Sequence, residues 1–243
     1  MVKPHTSIVV CTLDRYDFLD RCLAHLAGQR TPPAYEVIVV DNSDTEDGDP
    51  LVRSAVERAG AAAAGDFVYV HARGPNLSTA RNAGLEAARG DFIAYVDDDL
   101  LMPPDWLAIV AGVLERTQAD CILGRVEAEL LPGADTPGLA RFFLRSLDLA
   151  DEAVIAPNHY GFTPSARTCN VVFRRATTFD RGLTFDPVFG RSGGEDTDIF
   201  VRLAAEPPFR VIYSEQALAR ELIPPERQTL AYLCRREFRG GQV

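Results

Sequence analysis

The 243-residue sequence contains no Cys-x-x-Cys pair. Its five cysteines, Cys11, Cys22, Cys121, Cys169 and Cys234, are odd in number and far apart. That spacing excludes a disulfide framework or a cysteine-rich zinc site and leaves small buried hydrophobes as the better reading. No window approaches the roughly 18 apolar residues that a membrane-spanning helix needs. Met1-Val2-Lys3-Pro4-His5 runs straight into a strand-like stretch without the apolar core of a secretion signal. The expected compartment is the cytoplasm, where the sequon Asn76-Leu77-Ser78 has no meaning. Positive charge is also short: 25 Lys+Arg against 35 Asp+Glu leave a net charge of −10. Such a surface is ill suited to a nucleic-acid backbone, so an anionic ligand would be held locally, through a metal ion or a few placed arginines. At 47% hydrophobic and 25% charged residues, the composition excludes disorder, collagen and coiled coil as the main class. Repeats, low-complexity stretches and an interdomain linker are all missing. A single domain over 1–243 is expected, with a nucleotide-binding half (1–100), an acceptor-side half (101–226) and a basic C-terminal helix (227–243).

Within this frame, short β-branched runs alternate with helical periods. Ser7–Cys11, Glu36–Val40, Phe67–Val70 and Phe92–Val96 read as strands. Between them Asp17–Leu26, Leu51–Ala64 and Ser78–Ala88 read as helices, and a further helix runs from Asp105 to about Arg116. Continuous apolar strands interleaved with helices predict an α/β, doubly wound, mostly parallel sheet covered on both faces. The second half is less regular. Cys121–Ala128, Asn170–Arg174 and Phe209–Ser214 read as strands and Ile199–Ala205 as a helix, while residues 139–168 show no clear period. Arg227–Arg239 reads as a basic amphipathic helix anchored by Leu230, Leu233 and Phe238.

In open α/β sheets, ligands bind at the carboxyl ends of the strands. Three predicted strands end there in polar clusters: Thr12-Leu13-Asp14-Arg15, Asp41-Asn42-Ser43-Asp44 and Asp97-Asp98-Asp99. The first two are also what turn and cap chemistry would place there. Three adjacent carboxylates fit that explanation poorly, because they repel one another unless a cation compensates them. Hard oxygen donors suit Mg²⁺ or Mn²⁺ held by one or two carboxylates together with substrate phosphates. Gly74–Asn82 leads into a helix, with Ser78 as a candidate cap and Arg81 in the first turn able to help hold an anion. Glycine-rich Gly190–Gly194 precedes Glu195-Asp196 at another helix start. Asp41–Pro50 fails as a calcium loop, since the twelfth position would be Ser54 rather than glutamate.

Several segments together carry a family resemblance: SIVVCTLDR, EVIVVDNSD, GPNLSTARNAGLEAARGDFIAYVDDD, NVVFRR, GGEDTDIFVRL and the closing RxxxxYLCRREFRGG. In this order, from Ser7 to about Gly240, they resemble the family 2 glycosyltransferases of the GT-A fold. The closing segment is most similar to exopolysaccharide-type glucosyltransferases.

The resemblance implies an inverting, metal-dependent transfer from a nucleotide-sugar donor, UDP-linked hexose by expectation, to a saccharide or lipid-linked acceptor. It implies that Thr12, Asp14, Arg15, Asp41, Asn76, Arg81, Asp97 and Asp98 hold the nucleotide sugar, and that Asp99 and Asp97 bind Mn²⁺ or Mg²⁺. It also implies that Asp196 is the catalytic base, with Glu195 beside it orienting the acceptor and Gly193 and Gly194 shaping the loop. Leu13-Asp14 stands where relatives often carry Tyr-Asn. Glu221 falls in the region of a late metal-binding histidine, with His71 and His159 elsewhere. Asn170 reads either as facing the sugar or as a buried polar group satisfied by backbone. The basic C-terminal helix reads as a solvated, core-packed face or as a peripheral contact with anionic headgroups at the inner face of the membrane. Two other functions stay open: a sugar-phosphate nucleotidylyltransferase, which would want a glycine-rich loop after the first strand, and a non-catalytic nucleotide-sugar-binding protein.

Overall fold

The computed structural model describes residues 5–30, 32–133, 142–143, 147–158, 163, 167–205 and 208–240. Strands β1 (Thr6–Thr12), β2 (Tyr35–Asp41), β3 (Asp66–His71) and β4 (Phe92–Asp97) alternate with helices α1 (Tyr16–Ala27), α2 (Pro50–Ala62) and α3 (Leu77–Ala87). After them come β5 (Leu100–Leu101), α4 (Trp106–Thr117), β6 (Cys121–Leu130), β7 (Val154–Ile155), β8 (Asn170–Arg174), α5 (Glu195–Ala204), β9 (Val211–Ile223) and α6 (Leu230–Gly240). The nine strands among the described residues form one sheet in the order β3-β2-β1-β4-β8-β6-β9-β5, with β7 on β9.

β1 to β4 pair in parallel, as expected of runs such as SIVVC and EVIVV that are buried on both faces. β8 then inserts antiparallel between β4 and β6, and β6 pairs in parallel with β9. Alternation along β1 sends Ile8 and Val10 toward Leu19, Leu23 and Trp106 on one side of the sheet. It sends Val9 to the other side, where Tyr95, Phe173, Phe185 and Phe200 pack. Each fully buried large side chain removes enough apolar surface from water to contribute about 1.5–3 kcal/mol.

The first four strands and helices fall where periodicity puts them. β9 is a correction: the expected strand ends at Ser214, but pairing continues to Ile223. An irregularity in β6 between Gly124 and Val126 is matched in β9 by the skip from Ser214 to Ala219. That skip, which holds Glu215, Gln216, Ala217 and Leu218, hides the strand's second half from any period-2 pattern. β5 and β7, two residues each, are too short to have a period. The C-terminal helix starts at Leu230, because Pro224-Pro225 divert the chain into a 3₁₀ turn over Pro225–Arg227. Part of the region with no clear period, including His159, lies outside the described residues.

Candidate active site

The parallel register brings three strand ends to one edge of the sheet: Thr12 pairs with Asp41, and Cys11 with Asp97. β8 begins at that same edge, its Asn170 opposite Val96. β5 folds the acidic run back onto β9, pairing Leu100 with Glu221, while the Leu222 N–H donates to the Asp99 carbonyl at 2.9 Å. Residues from both halves of the chain therefore meet around Asp97–Asp99.

A cleft of about 370 Å³ is lined by Thr12, Leu13, Arg15, Asn42, Asp97, Asp98 and the loop residues Gly190 and Arg191. Asp98 is buried; it accepts from Thr12 Oγ1 at 2.8 Å and from Arg15 at 2.6 Å. The other Arg15 nitrogen donates to Asp99 Oδ2 at 2.6 Å, and Arg227 donates to the same oxygen at 3.0 Å. Burial pushes the Asp98 carboxyl up to about 6, against the pull of Arg15. Asp97 is raised further, by burial first and then by the charge of Asp99. Arg15 and Arg227 meet Asp98 and Asp99 directly, and Arg81 acts on Asp97 through its charge.

Asp41 closes β2 as a structural anchor. It accepts from the amides of Ser43 (2.9 Å) and Asp49 (2.5 Å) and from the Tyr69 hydroxyl (2.8 Å). Burial pushes its pKa up, but these three donors together outweigh burial and hold it below the usual carboxylate range. Asp14 is exposed, sits at φ +53° and does not line the cleft. Asn76, not Ser78, caps α3: its Oδ1 accepts from the Thr79 amide at 3.0 Å, and the Leu77 amide donates to Gly190 O at 2.9 Å. Two first-turn amides of α3, those of Leu77 and Thr79, are thus taken by protein. Gly190 lies so close that a Cβ there would come within 1.8 Å of Asn76 Oδ1, so only glycine fits.

A second, strongly polar pocket of about 230 Å³ adjoins the cleft through Arg15 and Asp97. Its other walls include Asp99, Asp196, Glu221, Thr168, Arg81, Arg167, Arg227 and Tyr232. Asp196 stands in the first turn of α5, entered through Gly193 and Gly194 at φ +88° and +100°, where a side chain would be strained. Arg81 is buried and donates to Glu195 Oε1 at 2.8 Å and Asp196 Oδ1 at 3.2 Å. Burial opposes its charge, and Asp196, Asp97 and Glu195 more than offset that, raising its pKa. Arg81 thus joins the two acidic groups instead of lining the first cleft, and Glu195 lies behind it, lining neither. Asn170 is buried and spent internally: Trp106 Nε1 donates to it at 3.2 Å, and its amide donates to the carbonyls of Arg125 (3.0 Å) and Ala217 (2.7 Å). His71 meets the Ser43 carbonyl, away from both pockets.

Among the described residues, no three His, Cys, Asp or Glu side chains converge closely enough to cage a metal ion. The donor set still fits a divalent ion of another kind. Asp97, Asp99 and Glu221 are hard oxygen donors that line one pocket without converging, a lining that suits an ion held by one or two carboxylates and taking its remaining ligands from a diphosphate and water. Thr168, Arg167, Arg191, Arg227 and Tyr232 received no role from sequence. Arg227 and Tyr232 could have been found, since they are the R and Y of RxxxxYLCRREFRGG; the others stand in segments with no period.

Acids at the carboxyl ends of the strands thus face a second acidic group across a polar pocket, on a mixed α/β sheet of the glycosyltransferase type. The chain belongs to the family Glycosyl transferase family 2, whose signature matches residues 7–169, and it is a glycosyltransferase. It is 34% identical over 241 residues to the succinoglycan biosynthesis protein ExoM of Rhizobium meliloti (strain 1021), a match covering 98% of this chain and 74% of ExoM. It is 27% identical over 252 residues to chondroitin synthase of Escherichia coli, covering 91% of this chain and 35% of that one. The fold matches S. aureus TarS, solved in complex with UDP, with a TM-score of 0.67 at 18% identity over 91% of this chain and 61% of that one. That likeness confirms the GT-A architecture.

Proposed function

We propose that this glycosyltransferase moves a sugar, with inversion, from a UDP-hexose-type donor to an acceptor hydroxyl in polysaccharide or glycoconjugate synthesis. The observation that carries the reading is the Asp196 carboxylate, which opens onto the same polar pocket as Asp97 and Asp99. Inversion needs a single displacement, in which the acceptor oxygen attacks on the face opposite the departing diphosphate. Asp196 would take the acceptor proton, a contribution of about 10²–10⁴-fold in rate. The cleft beneath Thr12, Arg15 and Arg191 would seat the nucleotide, and Arg15 and Arg227 would meet charge developing on the diphosphate. Asp97 and Asp99 would hold Mn²⁺ or Mg²⁺, with Glu221 beside them; such an ion supplies Lewis-acid neutralisation of the leaving group when bound. The names of ExoM and the chondroitin synthase support a polysaccharide acceptor, and the UDP bound to TarS supports the donor class.

A nucleotidylyltransferase is disfavoured because Thr12-Leu13-Asp14-Arg15 replaces the glycine-rich loop that reaction would use. The test is UDP release from UDP-glucose with Mn²⁺ and with EDTA. Wild-type protein is expected to release UDP, whereas Asp196→Asn keeps UDP affinity by calorimetry and loses about 10²-fold or more in turnover. Asp196→Asn turning over at the wild-type rate would refute the base assignment, and a wild type that binds UDP without turnover would make the chain a binding protein.

A further inference from the structure

We propose that Thr168 is a positioning residue that fixes the rotation of the Asp196 carboxylate, so that one oxygen is held and the other is presented to the acceptor. The proposal rests on Asp196 being the base.

Thr168 is buried to 1% exposure, and its hydroxyl donates to Asp196 Oδ1. A buried hydroxyl left unpaired costs about 1–3 kcal/mol, so this partnership is maintained. Arg81 donates to the same oxygen at 3.2 Å. Oδ2 has no hydrogen bond among the described residues, and Asp196 is 29% exposed at the pocket wall. Both donors converge on one oxygen, from two different elements.

The sheet makes the clamp rigid. Thr168 stands two residues before β8, and the Asp97 amide donates to the Cys169 carbonyl at 3.3 Å. The strand pairing that carries Asp97 therefore also sets the height of the Thr168 hydroxyl against the first turn of α5. Thr168 in this way links the geometry of the base to that of the acid run on the donor side. A half-turn about χ2 only exchanges two equivalent oxygens; what the clamp prevents is the range of intermediate angles at which neither oxygen faces the acceptor, and misplacement by about 1 Å costs on the order of 10²-fold in rate.

The experiment compares Thr168→Val, Thr168→Ala and Thr168→Ser in steady-state kinetics with UDP-glucose, alongside UDP affinity and thermal melts. Thr168→Val and Thr168→Ala are expected to lose about 10–100-fold in kcat, with donor KM and UDP affinity within about 2-fold of wild type. Thr168→Ser, which keeps the hydroxyl, is expected to return to within about 3-fold of wild type. Should Thr168→Val fail to fold, the Ala and Ser pair carries the same comparison. Wild-type kcat in the hydroxyl-free variants overturns the proposal, and so does a Ser variant as impaired as Ala. If Asp196→Asn also retains turnover, the base assignment has failed; if Asp196→Asn is dead while Thr168→Ala is fully active, only the clamp has failed.

Discussion

At the scale of single residues, the two ends of the acid inventory are held in opposite ways. Asp97 and Asp98 are raised by burial that their arginines do not fully offset, whereas Asp41 is lowered because two amides and a phenol more than compensate its burial. The consequence for Asp41 has a definite sign. Its folded pKa lies below the unfolded value of 3.8, so its contribution to stability is present above that value and is lost as pH falls through the folded pKa. Asp41→Asn is therefore expected to be less stable than wild type at neutral pH, with the gap narrowing as pH drops from about 5 toward 3 in urea-unfolding titrations. A gap independent of pH over that range would show that the three hydrogen bonds do not favour the ionised form. Asp41 and the acid triple were legible as candidates from sequence because they close apolar strands. Thr168 was not, since one hydroxyl in an aperiodic stretch carries no signal until the sheet sets it beside Asp196.

At the scale of elements, α6 turns one side inward, with Leu233 packing on Phe143 and Ile223. Leu230 and Phe238 are left 65% and 69% exposed, and exposed Cys234 falls between them at four-residue spacing. Arg235 adds a cation beside this stripe. The amphipathic pattern was visible in sequence, whereas the register that leaves these residues outside depends on the Pro224-Pro225 turn. An exposed apolar stripe with basic company fits an anionic interface. Leu230→Ser/Phe238→Ser is expected to reduce flotation with phosphatidylglycerol vesicles several-fold while leaving UDP release from UDP-glucose in solution intact. Equal flotation of both proteins would assign α6 to core packing alone. No helix among the described residues is long and apolar enough to cross a membrane.

At the scale of the whole molecule, the Arg81 bridge ties α3 in the first half to α5 in the second, across 114 positions of sequence. Removing one partner of a buried ion pair costs about 3–5 kcal/mol, because the other charge stays buried and unpaired. Arg81→Met is expected to lower Tm by about 10 °C in scanning calorimetry, given about 2–4 °C per kcal/mol for a domain of this size. Arg81→Met/Glu195→Met is expected to recover part of that loss. A single variant melting within about 2 °C of wild type would mean that the bridge is not a buried load.

Sequence alone determined the parallel half of the sheet, its two covered faces and the acids at its strand ends. Those follow from local periodicity and from the rule that a strand buried on both faces must be apolar throughout. Tertiary structure decided which acids share a pocket. It brought Glu221 beside Asp99 through a two-residue strand, placed Arg81 between the acidic groups instead of in the first cleft, and turned Asn170 inward. These are relations between residues far apart in the chain, set by register and packing, and no local pattern encodes them.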